Sequence, residues 1–502
     1  MDNHDLAEAW AYHDGTKHSV ESVHRSTHRL EWAIMPRSFK VYPDLEPIPL
    51  PRDFTSSTRP ALAAIGDPGN APGDGPRLDR AAIARLLYFS AGVLRRKTYA
   101  GGEIYFRAAA CTGALYHVDL YLISGPLADL EAGVYHFGPH DFALRRLRAG
   151  DHRAAVVAAA AGEPAIAAAP VIVAGTSTFW RNAWKYQART YRHCFWDDGT
   201  LLANLLAVAA AVDLPARVVL GFVDDELNRL LDLDTEREVT LSLVSLGRGA
   251  PSPPPAPPAP PLGLATLPLS TREVAYPAIR RAHATSSLTT AKKVAAWRGS
   301  LAAPVFAPPG GPTVRLAPSV TTAEPLETVI LRRGSTRAFA REPISLAALS
   351  TILRASTRGV PGDWTARPDL YLIVNAVEGL DPGAWVLDRE GERLALLRAG
   401  DFRREAGHLG LGQALPAEAA ACVFWLVDLK PVLERYGNRG YRAAQLEAAI
   451  EGGKSYLAAY ALRVGATGLT FFDDDVTSFF SPHAAGKSVM FLMAFGHPER
   501  RR

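Results

Sequence analysis

Short apolar runs and longer periodic ones divide the chain into strands and helices. In the first half, residues 119–123, 171–174, 218–222 and 239–246 are brief stretches rich in Val, Ile, Leu and Tyr, the pattern of strands buried in a sheet. Residues Arg80 to Ala91 and Trp196 to Val212 carry apolar side chains at three- and four-residue intervals and predict helices. Asp151 and Asp401 each follow Ala-Gly ahead of a helix-like run, which predicts N-caps. The Pro-, Gly- and Asp-rich residues from Gly66 to Pro76 predict a surface loop.

The pattern repeats. Asp119-Leu120-Tyr121-Leu122-Ile123 returns as Asp369-Leu370-Tyr371-Leu372-Ile373, Leu147-Arg148-Ala149-Gly150-Asp151 returns as Leu397-Arg398-Ala399-Gly400-Asp401, and Tyr191-Arg192 returns as Tyr441-Arg442, all at an offset of 250. A solenoid would repeat every 20–50 residues or so, so the offset predicts two copies of one domain. Pro251 to Pro261 is a polyproline spacer that marks the boundary. A second Pro- and Gly-rich stretch, Pro304 to Pro318, follows a helical-looking insert from Ser270 to Gly299, which has no counterpart that aligns with the first copy. The expected organisation is copy one at 1–250, linker and insert at 251–325, and copy two at 326–502.

Composition narrows the function. The 502 residues hold 55 Lys and Arg against 51 Asp and Glu, a net charge of +4 spread along the chain, which argues against nucleic acid as a partner. The N-terminus lacks the basic-then-apolar order of a secretory signal. The apolar run from Leu201 to Val212 contains Asn204 and falls short of the ~20 residues of a membrane span. Cys111, Cys194 and Cys422 are widely separated, as reduced thiols in a cytoplasm are. The histidines show no repeated metal-ligand spacing, and Asp473-Asp474-Asp475 reads as a helix cap, so no metal is expected. Gly453-Lys454-Ser455 ends like a phosphate loop but lies within a helical stretch, and no G-x-G-x-x-G follows a strand.

The chemistry-bearing residues cluster in four places. Leu331-Arg332-Arg333-Gly334-Ser335-Thr336-Arg337-Ala338-Phe339 combines guanidinium forks with hydroxyls and suits a phosphate group. It resembles the Arg-Arg-Ser-x-Arg-x-Phe segment with which nitroreductase-fold flavoproteins hold FMN, and the resemblance implies that Arg332, Arg333, Ser335 and Arg337 bind it. His24-Arg25-Ser26-Thr27-His28-Arg29 stands in the comparable place of copy one with two arginines replaced. Arg107-Ala108-Ala109-Ala110-Cys111-Thr112-Gly113-Ala114-Leu115-Tyr116 is similar to the Pro-Ser-Ala-Gly-Gly-Leu-Tyr segment of SagB-type dehydrogenases, flavin enzymes that oxidise azolines to azoles. By that resemblance Arg107, Ala110, Cys111, Thr112 and Gly113 line the flavin. The matching stretch of copy two, Pro361 to Arg367, has lost the pattern.

Two further blocks complete the expectation. Ala466-Thr467-Gly468 forms a turn whose N–H groups could face flavin N5. Lys185-Tyr186-Gln187-Ala188-Arg189-Thr190-Tyr191-Arg192 resembles the SagB-type Lys-Tyr-Gly-x-Arg-x-Tyr-Arg block, which implies that Lys185 and Tyr186 abstract the proton, whereas copy two has Arg435-Tyr436. The resemblance implies an α+β, nitroreductase-like fold in two tandem copies, an intramolecular pseudo-dimer with one composite FMN site. The second site would combine His24-Arg25-Ser26, the turn near Trp364 and Leu214-Pro215-Ala216-Arg217, and is expected to be empty. The implied activity is FMN-dependent dehydrogenation of a small-molecule or peptide-derived substrate, with oxygen as acceptor. An NAD(P)H-dependent nitro or quinone reductase and a flavin-free scaffold protein are the alternatives. Whether the chain is monomeric or dimerises further is left open.

Overall fold

The apolar runs pair into two seven-stranded antiparallel sheets in the computed structural model, which describes residues 2–67, 69, 73–99, 102–301 and 309–499. The first sheet runs Pro47–Pro49, Ala143–Ala149, Gly133–Gly138, Val118–Ser124, Val171–Thr178, Glu238–Leu246, Ala216–Val219. The second runs Thr313–Arg315, Arg393–Ala399, Gly383–Asp388, Asp369–Val374, Ala421–Val427, Ser488–Gly496, Gly465–Gly468, the same spatial order of corresponding strands. Val118–Ser124, Val171–Thr178 and Ala421–Val427 are buried at every position, which is why they read as continuous apolar runs and not as alternation.

Two long helices, Thr190–Ala211 and Arg439–Ala461, pack against each other, and every residue of the first is buried. Small residues permit the close approach. A Cβ on Gly199 would lie 2.5 Å from Ala449 Cβ, and one on Gly453 would lie 2.6 Å from Ala203 Cβ. Each of these two glycines faces an alanine of the other helix at the equivalent position of the 250-residue offset.

Buried ion pairs cross between the halves with the same symmetry. Asp473 accepts from Arg189 Nη1 (3.1 Å) and Arg192 Nη1 (2.5 Å), while Asp224 accepts from Arg439 Nη1 (2.6 Å) and Arg442 Nη1 (2.7 Å). The Asp473-Asp474-Asp475 run begins a helix, Asp473–Phe480, but its first carboxylate serves this ion pair. These polar anchors also explain why the first long helix begins at Thr190, ahead of the apolar signal at Trp196.

The insert does have a counterpart. Helix Pro277–Thr285 stands to Arg442 as helix Ala7–Gly15 stands to Arg192: Arg192 donates to Thr16 Oγ1 and the His13 carbonyl, and Arg442 donates to Ser286 Oγ and the His283 carbonyl. The His18 and Leu288 N–H groups donate to the carboxylates of Asp473 and Asp224, whose own N–H groups donate back to the His18 and Leu288 carbonyls. Helices Val20–Arg25 and Ala291–Trp297 follow, capped by Ser19 and Thr290. The sequences share almost no residues here, so the offset of 250 did not reveal the match.

This equivalence corrects a second expectation. His24-Arg25-Ser26-Thr27-His28-Arg29 matches the end of the insert, not the arginine arm. The arm follows helix Leu326–Arg332, whose counterpart is helix Ala61–Ile65; each is preceded by a proline, and Pro60 and Pro325 are bridged. The chain after Ile65, beginning Gly66-Asp67, therefore stands where a first-half arm would. Part of the Gly66 to Pro76 loop lies outside the described residues, as does the start of the Pro304 to Pro318 stretch, whose later residues supply strand Thr313–Arg315.

Smaller expectations hold with shifts. Helix Arg80–Ala91 is as predicted, with Asp79 as its cap. Asp151 and Asp401 sit one residue before the N-caps His152 and Phe402 and accept from the N–H of Arg153 and Arg403, each at 3.0 Å. Lys454 and Ser455 lie inside helix Arg439–Ala461. Among the described residues, no helix is long and apolar enough to cross a membrane.

Candidate functional site

The site is built where the second-half arm meets the first-half turn. Arg333 Nε donates to the Ala108 carbonyl (3.1 Å) and Nη2 to the Arg107 carbonyl (3.3 Å), with its guanidinium 5.2 Å over the Tyr456 ring. Tyr456, on the second long helix, donates to Ser335 Oγ at 2.9 Å. Thr336 N donates to the Ala466 carbonyl (3.0 Å), which ties the arm to strand Gly465–Gly468. Arg333 thus joins the arm to Arg107 and Ala108 of the first half, and Thr336 joins it to the strand that carries Ala466, Thr467 and Gly468.

Two arginines of the arm differ in availability. The fork of Arg332 is committed to Glu324 (2.5 and 2.7 Å) and to the Tyr460 carbonyl (2.6 Å), so it steadies the arm and is not free for a phosphate. Arg337 is exposed and makes no hydrogen bond or ion pair among the described residues. Thr470 Oγ1, two residues past Gly468, is buried without a partner. A guanidinium with no partner among the described residues, on an arm that also carries hydroxyls, fits the phosphate of FMN.

Asp197 organises the turn, and nothing in the sequence reading pointed to it. Its Oδ1 accepts from Thr112 N (2.8 Å) and Thr112 Oγ1 (2.7 Å), and its Oδ2 accepts from Cys111 Sγ (3.0 Å) and meets His117 Nε2 (2.8 Å). An acidic pair, Asp197-Asp198, inside a buried helix was the available signal. Cys111, His117 and Asp197 are the one set of three potential metal ligands converging among the described residues, and hydrogen bonds already engage all three. Burial, and next the charge of Asp197, push the Cys111 thiol well up, so it stays protonated and is a donor rather than a nucleophile.

The turn itself needs glycine. Gly113 has φ +63°, and a Cβ there would lie 2.7 Å from Tyr186 Oη. Tyr186 therefore sits directly over the turn. Burial raises its phenol well above the ordinary value, and the charge of Asp197 adds to this, so it holds its proton. Lys185 packs its Nζ 5.3 Å over the Tyr186 ring and forms no ion pair among the described residues. Arg107 is buried, donates to the Ser38 carbonyl (3.0 Å), and lines a small cavity with Ala109, Ala110, Cys111, Tyr116 and Asp197. Burial lowers its pKa to about 10.

In the other half, residues 297–299 lie against Tyr436, the counterpart of Tyr186. Trp297 Nε1 donates to the Tyr436 carbonyl (2.9 Å), Arg435 Nη2 to the Arg298 carbonyl (2.5 Å), and Tyr436 Oη to the Gly299 carbonyl (2.6 Å). Asp363 accepts from Leu220 N (2.8 Å) and Gly221 N (2.9 Å), and Arg298 Nε lies 3.3 Å from the same carboxylate. Trp364 is buried beside it. The second site therefore does not contain His24-Arg25-Ser26, which are exposed and lie elsewhere.

Comparison with known proteins agrees with this architecture. Residues 330–497 match the Nitroreductase family model. "Putative nitroreductase MJ1384" of Methanocaldococcus jannaschii is 24% identical over 143 residues, 28% of this chain and 71% of that protein. The crystal structure of a "putative nitroreductase" from Anabaena variabilis aligns over 98% of this chain and 99% of its own, with 25% identity and a TM-score of 0.79. One from Desulfovibrio desulfuricans in complex with FMN covers 36% of this chain and 93% of its own at 20% identity, with a TM-score of 0.24, too slight a likeness to carry weight. The chain has a nitroreductase-like α+β fold, and the match of its residues 330–497 to the Nitroreductase family model points the same way.

Proposed function

We propose that the chain is a tandem-fused pseudo-dimer of the SagB dehydrogenase type that uses one FMN held between its halves. The observation that carries this reading is the Arg333 bridge to the Arg107 and Ala108 carbonyls, which joins the arm of one half to the turn of the other. Isologous dimers make such contacts twice; here the second place is filled by Trp297, Arg298 and Gly299. One competent site per chain follows.

In this account Arg333, Ser335 and Arg337 hold the phosphate and ribityl chain, with Arg332 bracing the arm through Glu324. Arg107, Ala110, Cys111, Thr112 and Gly113 present the turn, kept in shape by Asp197, and Ala466, Thr467 and Gly468 approach from the other side. FMN would supply the two-electron acceptor. Lys185 takes the substrate proton, and Tyr186, protonated, orients the reacting group from above Gly113. Arg435 cannot replace Lys185 because a guanidinium does not give up its proton.

The substrate is a small molecule or a peptide-derived ring such as an azoline, and oxygen takes the electrons afterwards. Purification tests the flavin: a yellow protein whose bleached, reduced form recovers in air but is not produced by NADPH supports the dehydrogenase. Rapid anaerobic reduction by NADPH would instead make it a nitro or quinone reductase.

A further inference from the structure

The two halves carry the same capped helix in different positions. Ser19 caps Val20–Arg25 by accepting from Ser22 N (3.0 Å), and Thr290 caps Ala291–Trp297 by accepting from Lys293 N (3.3 Å). Counted from those caps, Val23 corresponds to Val294, Ser26 to Trp297, Thr27 to Arg298 and His28 to Gly299. Their environments are opposite. Val294 is 0% exposed and Trp297 4%, whereas Val23 is 37% exposed and Val20 39%. No residue of Val20–Arg25 is buried.

The attachments differ in the same sense. In the second half the segment reaches Tyr436, with Trp297 Nε1 on its carbonyl and the Gly299 carbonyl on its hydroxyl. In the first half, His28 Nε2 meets the Trp184 carbonyl at 3.2 Å, two residues short of Tyr186, the equivalent of Tyr436. An apolar valine held in water, beside a twin that is fully buried, is a face that gains by docking.

From this we infer that residues 20–28 are a lid that swings over Lys185 and Tyr186 when FMN fills the site, with Val23 as the anchor that becomes buried as Val294 is. Segment 291–299 displays the closed form permanently. The lid of the first half lacks the Trp297 and Arg298 side chains that fix its twin, so it can release. Closure would remove water from around Lys185 and the reacting centre, where a base and a hydride acceptor must work in a dry pocket. The inference rests on the flavin reading, since it takes FMN to be the ligand that favours the closed position.

Hydrogen exchange of the 20–28 amides, in flavin-stripped protein and after reloading with FMN, tests it. Quenching of FMN fluorescence reports binding independently. We expect exchange across 20–28 to slow by at least about tenfold on loading, the population shift of a ligand that prefers one state. Val23→Asp should abolish most of that slowing and weaken FMN binding about tenfold, while Val23→Ile should behave as wild type. The stripped Val23→Asp protein should melt as wild type does, because Val23 is exposed there. FMN that binds without changing the exchange, or a Val23→Asp variant indistinguishable from wild type, would overturn the lid. FMN that does not bind at all would overturn the flavin reading and the lid with it.

Discussion

Replacing Asp224 by Asn removes a buried carboxylate that two fully buried arginines share across the halves. Asp224 is 1% exposed and accepts from Arg439, Arg442 and Leu288 N. Burial alone would raise its pKa, but Arg439 and Arg442 outweigh that and hold it at about 2, against an ordinary 3.8. A depression of roughly two units corresponds to about 2–3 kcal/mol. That stability is present above the unfolded value of 3.8 and is lost as pH falls through about 2. Neutralising the site at pH 7 costs more than this, because both guanidinium groups then stay buried without a counter-charge; about 3–5 kcal/mol is the usual penalty. Urea denaturation followed by tryptophan fluorescence gives the cost. The exposed pair Arg229–Glu226 supplies the control, for which Glu226→Gln should cost at most about 1 kcal/mol. Asp224→Asn with Arg439→Met should recover part of the loss. A single-variant cost no larger than that of Glu226→Gln would refute the view that these crossing pairs hold the halves together.

Arg337→Ala should weaken FMN binding about ten- to a hundredfold, since a charge-assisted phosphate contact is worth roughly 1.5–3 kcal/mol, and Arg29→Ala should leave it unchanged; equal losses in a fluorescence titration would contradict the assignment of the arm. Lys185→Ala should keep FMN and lower turnover by about 10²–10⁴, with Tyr186→Phe weaker in the same direction; single-turnover flavin reduction at an unchanged rate would remove Lys185 from the mechanism. Gly113→Ala should slow turnover and release Tyr186 from the turn, because the new Cβ meets its hydroxyl at a φ of +63°. A wild-type rate in that variant would mean that the turn does not position Tyr186.

The repeat was legible because the central strands are buried on both faces, which demands apolar side chains such as Leu370-Tyr371-Leu372-Ile373 at the same places in both halves. The match of 277–299 to the N-terminal segment was not legible. It rests on main-chain carbonyls and on hydroxyls that differ in identity, Thr16 for Ser286, and the few shared residues, such as His13 and His283, are too scattered to mark it. The comparison of His24-Arg25-Ser26 with the arm failed for the opposite reason: basic and hydroxyl residues on an exposed helix mimic a phosphate arm by composition alone. Arg332 shows the same limit from the other side, since only the fold brings Glu324 and the Tyr460 carbonyl to its fork.

The central claim is one flavin site per chain, assembled by Arg333 against the Arg107 turn while Trp297, Arg298 and Gly299 fill the equivalent place. Reconstituting the protein with excess FMN, removing what is unbound and quantifying the released flavin against protein tests it most directly. The account predicts a ratio of one FMN per chain. A ratio near two would mean that the filled site opens to a second flavin, and a ratio near zero would leave the fold without the cofactor on which the proposed chemistry depends.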